Sequence, residues 1–103
     1  MAVVTGGSRG VGKGIAAELS RHGARVFVTG RTEADLRQVG EGTVGVRCDH
    51  REDAQVDAAF QEIARESGGA IDILVNNVWG GYERMVDNGE FTWMKPFWEQ
   101  PLW

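Results

Sequence analysis

Apolar positions along this chain alternate between two spacings: short β-branched runs, and stripes three or four residues apart. The first marks strands and the second marks the buried faces of helices. Ala2-Val3-Val4 opens the chain as a strand. Val11, Ile15 and Leu19 follow at i, i+4 and i+8 and predict a helix from Val11 to His22, with Gly23 as the residue that ends it. Ala24 to Thr29 is β-branched and reads as a second strand. Gly30-Arg31 turns the chain. Thr32 then caps a short helix, with Asp35 completing an approximate capping box. Leu36 and Val39 give that helix a narrow apolar face, and Gly40 and Gly42 stop it. Thr43 to Cys48 is a third strand, weakened by Gly45. Glu52 to Glu66 is amphipathic, with Val56, Ala59, Phe60 and Ile63 on one side, and Gly68-Gly69 end it. Ile71 to Val75 is a fourth strand, followed by Asn76-Asn77.

Strands that alternate with helices pair in parallel through right-handed crossovers, which makes the fold class α/β. The rhythm is lost from Val78 onward. Gly80-Gly81, Asn88-Gly89, Pro96 and Pro101 break the segment, and no helix or strand period emerges. Tyr82, Phe91, Trp93, Phe97, Trp98 and Trp103 fall here, an aromatic load foreign to a polar disordered tail. Such a stretch is either a loop packed on its own core or a flap over an active site.

The 103 residues allow one domain, with room for a modest core but little for a sheet with two crossover halves. A hydrophobic content of 42% with 25% charged residues is ordinary for a globular protein. The net charge of −4 argues against nucleic acid or an anionic membrane as partner. No apolar run approaches the ~20 residues that span a bilayer. Met1 leads directly into a strand, without a signal peptide. The lone Cys48 suits a reducing compartment, so the cytosol is expected.

Candidate chemistry concentrates in Thr5-Gly6-Gly7-Ser8-Arg9-Gly10-Val11-Gly12, between the first strand and the first helix. Strand, glycine turn, helix is the order that binds phosphate, because unpaired N–H groups and the positive dipole end face the anion. Glycines can also serve a turn for steric reasons alone. A P-loop is matched by Gly7, Gly12 and Lys13, but Gly14 stands where the magnesium-binding hydroxyl belongs. The run Val44 to Asp49, a candidate metal-binding strand, is interrupted. A dinucleotide site of the Rossmann type is the other reading, although Ile15 occupies the third glycine position of the usual fingerprint.

The spacing Thr-Gly-x-x-x-Gly-x-Gly resembles the glycine motif of the short-chain dehydrogenases/reductases. Gly30-Arg31 after the second strand, Asp49 after the third, and Asp72-Ile73-Leu74-Val75-Asn76-Asn77 extend the resemblance over residues 1–77. Val78-Trp79 departs from the Ala-Gly pair usual in the family, and Phe97-Trp98-Glu99 is similar to one of its branches. The resemblance implies a partial Rossmann sheet of four parallel strands in order 3-2-1-4. Residues 1–77 would be the core of an incomplete dinucleotide-binding domain, and 78–103 a truncated substrate loop. It implies that Gly6, Ser8, Arg9, Gly10, Val11 and Gly12 line the cofactor diphosphate and ribose phosphate. Asp49 would accept from the adenine amino group, with His50 beside it, or would instead be a carboxylate favoured by the next helix's dipole. Asn76 would lie near the cofactor ribose, unless it and Asn77 serve only as backbone support.

Cofactor choice is readable at the end of the second strand. NAD sites place an acid there, whereas Thr29, Gly30 and Arg31 offer none before Glu33. Arg31 and Arg9 suit the 2′-phosphate, so NADP(H) is expected over NAD(H). The family's proton-transfer residues, a Ser and a Tyr with Lys four residues on, have no counterpart: Val86 follows Tyr82 at that spacing, and the lysines are Lys13 and Lys95. No catalytic residue and no metal ligand is therefore assigned. The chain reads as the cofactor-binding portion of a longer NADP(H)-dependent oxidoreductase acting on carbonyl or alcohol substrates, inactive alone and prone to self-association. The other reading is a non-catalytic nucleotide-binding module that acts by binding or by pairing with another chain.

Overall fold

The computed structural model describes residues 1–82 and 85–100. Its elements are β1 (Ala2–Val4), α1 (Gly10–Arg21), β2 (Val26–Gly30), α2 (Glu33–Leu36), β3 (Thr43–Arg47), α3 (Asp53–Ser67) and β4 (Ile73–Val75). All four strands are parallel, in order β3-β2-β1-β4. Val3 pairs with Phe27 on one side and Leu74 on the other, so β1 sits inside the sheet.

The pleat divides the core in two. Ala2, Val4, Val26 and Val28 face Ala16 of α1 and Leu36 of α2. Val3, Phe27 and Val46 face the other way, onto Ala59 and Ile63 of α3. Because both sheet faces are covered, the inner strands are continuous apolar runs rather than alternating ones. Val56 and Phe60 extend the buried face of α3 as its spacing predicts, and Gly68 ends that helix in the left-handed conformation.

Two local expectations are corrected. Val11 is 75% exposed and does not join the buried stripe of α1, whose buried residues are Gly12 and Ala16. Steps of four residues drift by about 40° each on a helix of 3.6 residues per turn, so Val11 ends about 80° from Leu19. Thr32 is the cap of α2, but its side chain makes no capping hydrogen bond. The reciprocal bond of a capping box needs the longer arm of Glu or Gln, which Asp35 lacks.

Beyond Val78 the segment is not patternless. Val86–Asp87 and Glu90–Phe91 form an antiparallel hairpin, β5 and β6. Asn88 (φ 50°) and Gly89 (φ 81°) make its two-residue turn. Positive φ at both positions is the type I′ geometry that Asn-Gly favours, so the same dipeptide that breaks a helix here makes a strand pair. Single helical turns follow at Thr92–Met94 and Phe97–Glu99. Thr92 is buried and bonds the Met85 carbonyl through its N–H and its hydroxyl. Trp79, Tyr82, Phe91 and Trp93 form a ring cluster, with Trp79 and Tyr82 edge to face at 4.6 Å. Trp103 lies outside the described residues.

Among the described residues β4 pairs only with β1, and its other side is an open edge. Ile71, Ile73 and Leu74 are exposed there, whereas Val75 packs against the α1 and α2 side of the core. Among the described residues no helix is long and apolar enough to cross a membrane.

Candidate functional site

The chain leaves β1 toward β2 on one side of the sheet and returns from β3 to β4 on the other. Such a reversal opens a crevice at the carboxyl ends of the two central strands. Here the crevice holds the glycine turn after β1 and Asn76-Asn77 after β4. A cleft of about 390 Å³ at this end is lined by Thr5, His50, Val56, Phe60, Asn76 and Val78.

The turn is fastened to β4 by short polar side chains. Thr5 Oγ1 donates to the Val75 carbonyl at 3.3 Å and accepts the Asn77 N–H at 3.0 Å. The Asn77 amide donates from Nδ2 to the carbonyls of Thr5 at 3.0 Å and Gly6 at 3.2 Å. A Cβ on Gly12 would collide with that same Nδ2 and lie 2.7 Å from the Gly6 carbonyl oxygen. Asn77 therefore serves as backbone support and sets the closest approach of α1 to the turn. On the β2 side, the Gly6 N–H donates to Thr29 Oγ1 at 3.0 Å, and that oxygen lies 2.7 Å from His50 Nε2. Ser8 is buried, with its hydroxyl where a Cβ on Gly30 would fall.

Among the described residues, the first turn of α1 carries no acid and no side-chain cap that would neutralise it. Its first intrahelical bond is Lys13 N–H to the Arg9 carbonyl, which leaves the N–H groups of Gly10, Val11 and Gly12 without helical acceptors. Arg9 makes no capping bond and no acidic residue stands in the turn. Free N–H groups at the positive end of a twelve-residue helix suit an anion.

The charged residues flank this end. Arg9 and Arg31 are exposed and make no ion pair among the described residues. Asp49 is otherwise engaged. The guanidinium of Arg51 grips it through Nε at 3.0 Å and a terminal nitrogen at 2.5 Å, and the Arg51 N–H adds a third donor at 3.1 Å. These bonds hold the Asp49 carboxyl far below the usual range, with small help from the charge of Arg31. Asp49 also precedes the first turn of α3 by several residues, so dipole stabilisation does not account for it. Burial lowers the pKa of His50, and the neighbouring Asp49 charge raises it by less. Asn76 is exposed at the cleft mouth.

The fold thus brings Gly6, Ser8, Gly10, Gly12 and Asn76 to one end of the sheet, with Arg9, Val11 and Arg31 solvent-exposed around it. Asp49 is near Arg31 but bound to Arg51. Sequence reasoning left Asn77 undecided and missed the hydroxyl of Thr29. A threonine ending a strand whose apolar neighbours are fully buried was the available signal, and it is weak.

Three comparisons bear on this geometry. A family model described as short chain dehydrogenase matches residues 1–100. The human (Homo sapiens) protein called dehydrogenase/reductase SDR family member 1 is 41% identical over 106 residues, covering 96% of this chain and 33% of that protein. The chain therefore spans about a third of that relative's length. Among solved structures, a short chain dehydrogenase from Bacillus anthracis superposes with a TM-score of 0.73 at 33% identity, over 85% of this chain and 41% of the other. A 3-ketoacyl-(acyl-carrier-protein) reductase from Brucella melitensis, complexed with NADH, gives 0.70 at 34% identity, over 75% and 33%.

Proposed function

Because the chain belongs to the short chain dehydrogenase family, we propose that it is the cofactor-binding portion of an NADP(H)-dependent oxidoreductase acting on carbonyl or alcohol substrates. Residues 1–77 are the binding body of an incomplete dinucleotide-binding domain, and residues 78–103 belong to the substrate side. The observation that carries this reading is the first turn of α1, acid-free and uncapped beside the glycine turn. Those residues fit a dinucleotide: Gly6, Ser8, Gly10, Val11 and Gly12 line the diphosphate, and Asn76 meets the cofactor ribose. Asp49 receives the adenine amino group on a carboxylate that it shares with Arg51. Bound there, the nicotinamide group supplies or takes up the hydride. The chain's own part is to hold the anion on backbone N–H groups and orient it across the sheet end.

NADP(H) is favoured over NAD(H) by Arg31 and Arg9. No carboxylate at the end of β2 repels a 2′-phosphate, and two exposed guanidinium groups meet it. Hydrogen bonds to charged groups contribute roughly 1.5–3 kcal/mol. After discounting for solvent, each arginine is worth about tenfold in affinity. NADPH is therefore expected to bind at least tenfold more tightly than NADH in a fluorescence titration at fixed salt. Arg31→Asp removes or reverses that preference while NADH binding stays within a few-fold. Equal affinity for the two cofactors in the unmutated chain refutes the assignment.

The same reading includes self-association. The open edge of β4 offers unpaired backbone groups beside exposed Ile71, Ile73 and Leu74, and such an edge templates other strands. Exposed Trp79, Phe97 and Trp98 add apolar surface. Light scattering on a sizing column is expected to show species larger than a monomer, increasing with concentration. A single monomer peak across the whole concentration range contradicts it.

A further inference from the structure

The glycine turn rests on a hydroxyl whose direction is set from outside it. Gly6 opens the turn with φ at 64°. Its N–H donates to Thr29 Oγ1 at 3.0 Å, and the same oxygen lies 2.7 Å from His50 Nε2. Thr29 is fully buried, and these are the two partners of its hydroxyl among the described residues. A hydroxyl has one proton and two lone pairs. If Nε2 carried a proton and donated it, the threonine oxygen would accept twice and its own proton would have no acceptor. A buried donor left unpaired is a costly arrangement. The consistent assignment is a neutral ring with its proton on Nδ1, accepting the Thr29 O–H at Nε2.

We infer that His50 is a positioning residue for the glycine turn: its bare Nε2 accepts the Thr29 hydroxyl and so aims that oxygen's lone pair at the Gly6 N–H. Protonation of His50 breaks the relay, because Nε2–H and the threonine O–H then compete for one direction. The surroundings leave the ring neutral. Toward His50, β1 and β4 present Thr5, Asn76 and Val78, α3 presents Val56 and Phe60, and β2 presents Thr29. None of these titrates near neutral pH. Among the described residues the one charge acting on the ring is Asp49, already bound by Arg51 and near Arg31. Burial outweighs that charge and lowers the His50 pKa from its ordinary value. A ring with a lowered folded-state pKa keeps its relay at and above the ordinary histidine pKa and loses it as pH falls through the lower folded value.

The test uses the 103-residue chain at low concentration, with isotope-labelled histidine. It has two histidines, so His22→Gln assigns both signals. At neutral pH His50 is expected as the Nδ1–H tautomer. Thr29→Val, which removes the donor to Nε2, raises the His50 pKa, and Thr29→Ser restores it. His50→Gln keeps an acceptor that does not titrate. The cofactor arm rests on the reading proposed above. Between pH 7.5 and 5, NADPH affinity of the unmutated chain falls roughly tenfold further than that of His50→Gln, about 1.4 kcal/mol. Titration of the 2′-phosphate is common to both proteins and cancels in that ratio. An Nε2–H tautomer at neutral pH, or a His50 titration indifferent to Thr29→Val and Thr29→Ser alike, overturns the relay. The expected tautomer and shift without NADPH binding at any pH uphold the relay and refute the cofactor reading instead.

Discussion

Mixed with NADPH and a panel of aldehydes, ketones and quinones, the 103-residue chain is expected to show no turnover above the uncatalysed rate. The chemistry implied by its family needs a proton donor beside the hydride path. Tyr82, its one tyrosine, is 70% exposed, and Val86 stands where the paired lysine would be. Lys13 belongs to the first turns of α1, and Lys95 reaches Glu90 at 3.5 Å. The Ser67 hydroxyl bonds back onto the Ala64 carbonyl at the end of α3. None of these lines the cleft of Thr5, His50 and Asn76. General acid–base catalysis is worth about 10²–10⁴ in rate. Removing it leaves at most what binding and orientation supply. Turnover that survives repurification to constant specific activity sinks this expectation.

The second large effect separates two glycines two residues apart. Gly12→Ala places a Cβ against the Asn77 amide, 2.7 Å from the Gly6 carbonyl oxygen and 3.0 Å from the Gly7 Cα. The amide cannot yield freely, because it holds the Thr5 and Gly6 carbonyls. Overpacking of this kind costs about 1–3 kcal/mol. At Gly14 an added Cβ meets nothing within 4 Å, in the body of the same helix. There alanine is favoured by its helix propensity, by about 0.8–1 kcal/mol. Denaturant midpoints are therefore expected to move in opposite directions, down for Gly12→Ala and up for Gly14→Ala. Gly12→Ala is also expected to weaken NADPH binding, because the backbone proposed to line the diphosphate must shift. Midpoints that move together would show that the turn is looser than the Asn77 bonds imply.

The amino-acid sequence by itself determined the alternation of strands and helices, the apolar faces of the helices and the place of the glycine turn. Each depends on spacing within a dozen residues: Val26 to Val28 read as a buried strand and Ala59 with Ile63 as a helix face because burial repeats with the local period. Asn88-Gly89 was legible in the same local way, as a turn with positive φ at both positions, and went unread because the strands beside it are only two residues long. Tertiary structure decided what depends on register. Thr5 meets Asn77 across 72 positions in the chain, and Gly6 meets Thr29 across 23, only because β1 is paired in fixed register between β4 and β2. It also decided the fate of charge. Asp49 is taken by Arg51 two residues away rather than left open, while Arg9 and Arg31 form no ion pair among the described residues. A side chain's local pattern reports which face it buries. Which polar atom it meets there depends on how parallel strands are stacked, and no local period encodes that.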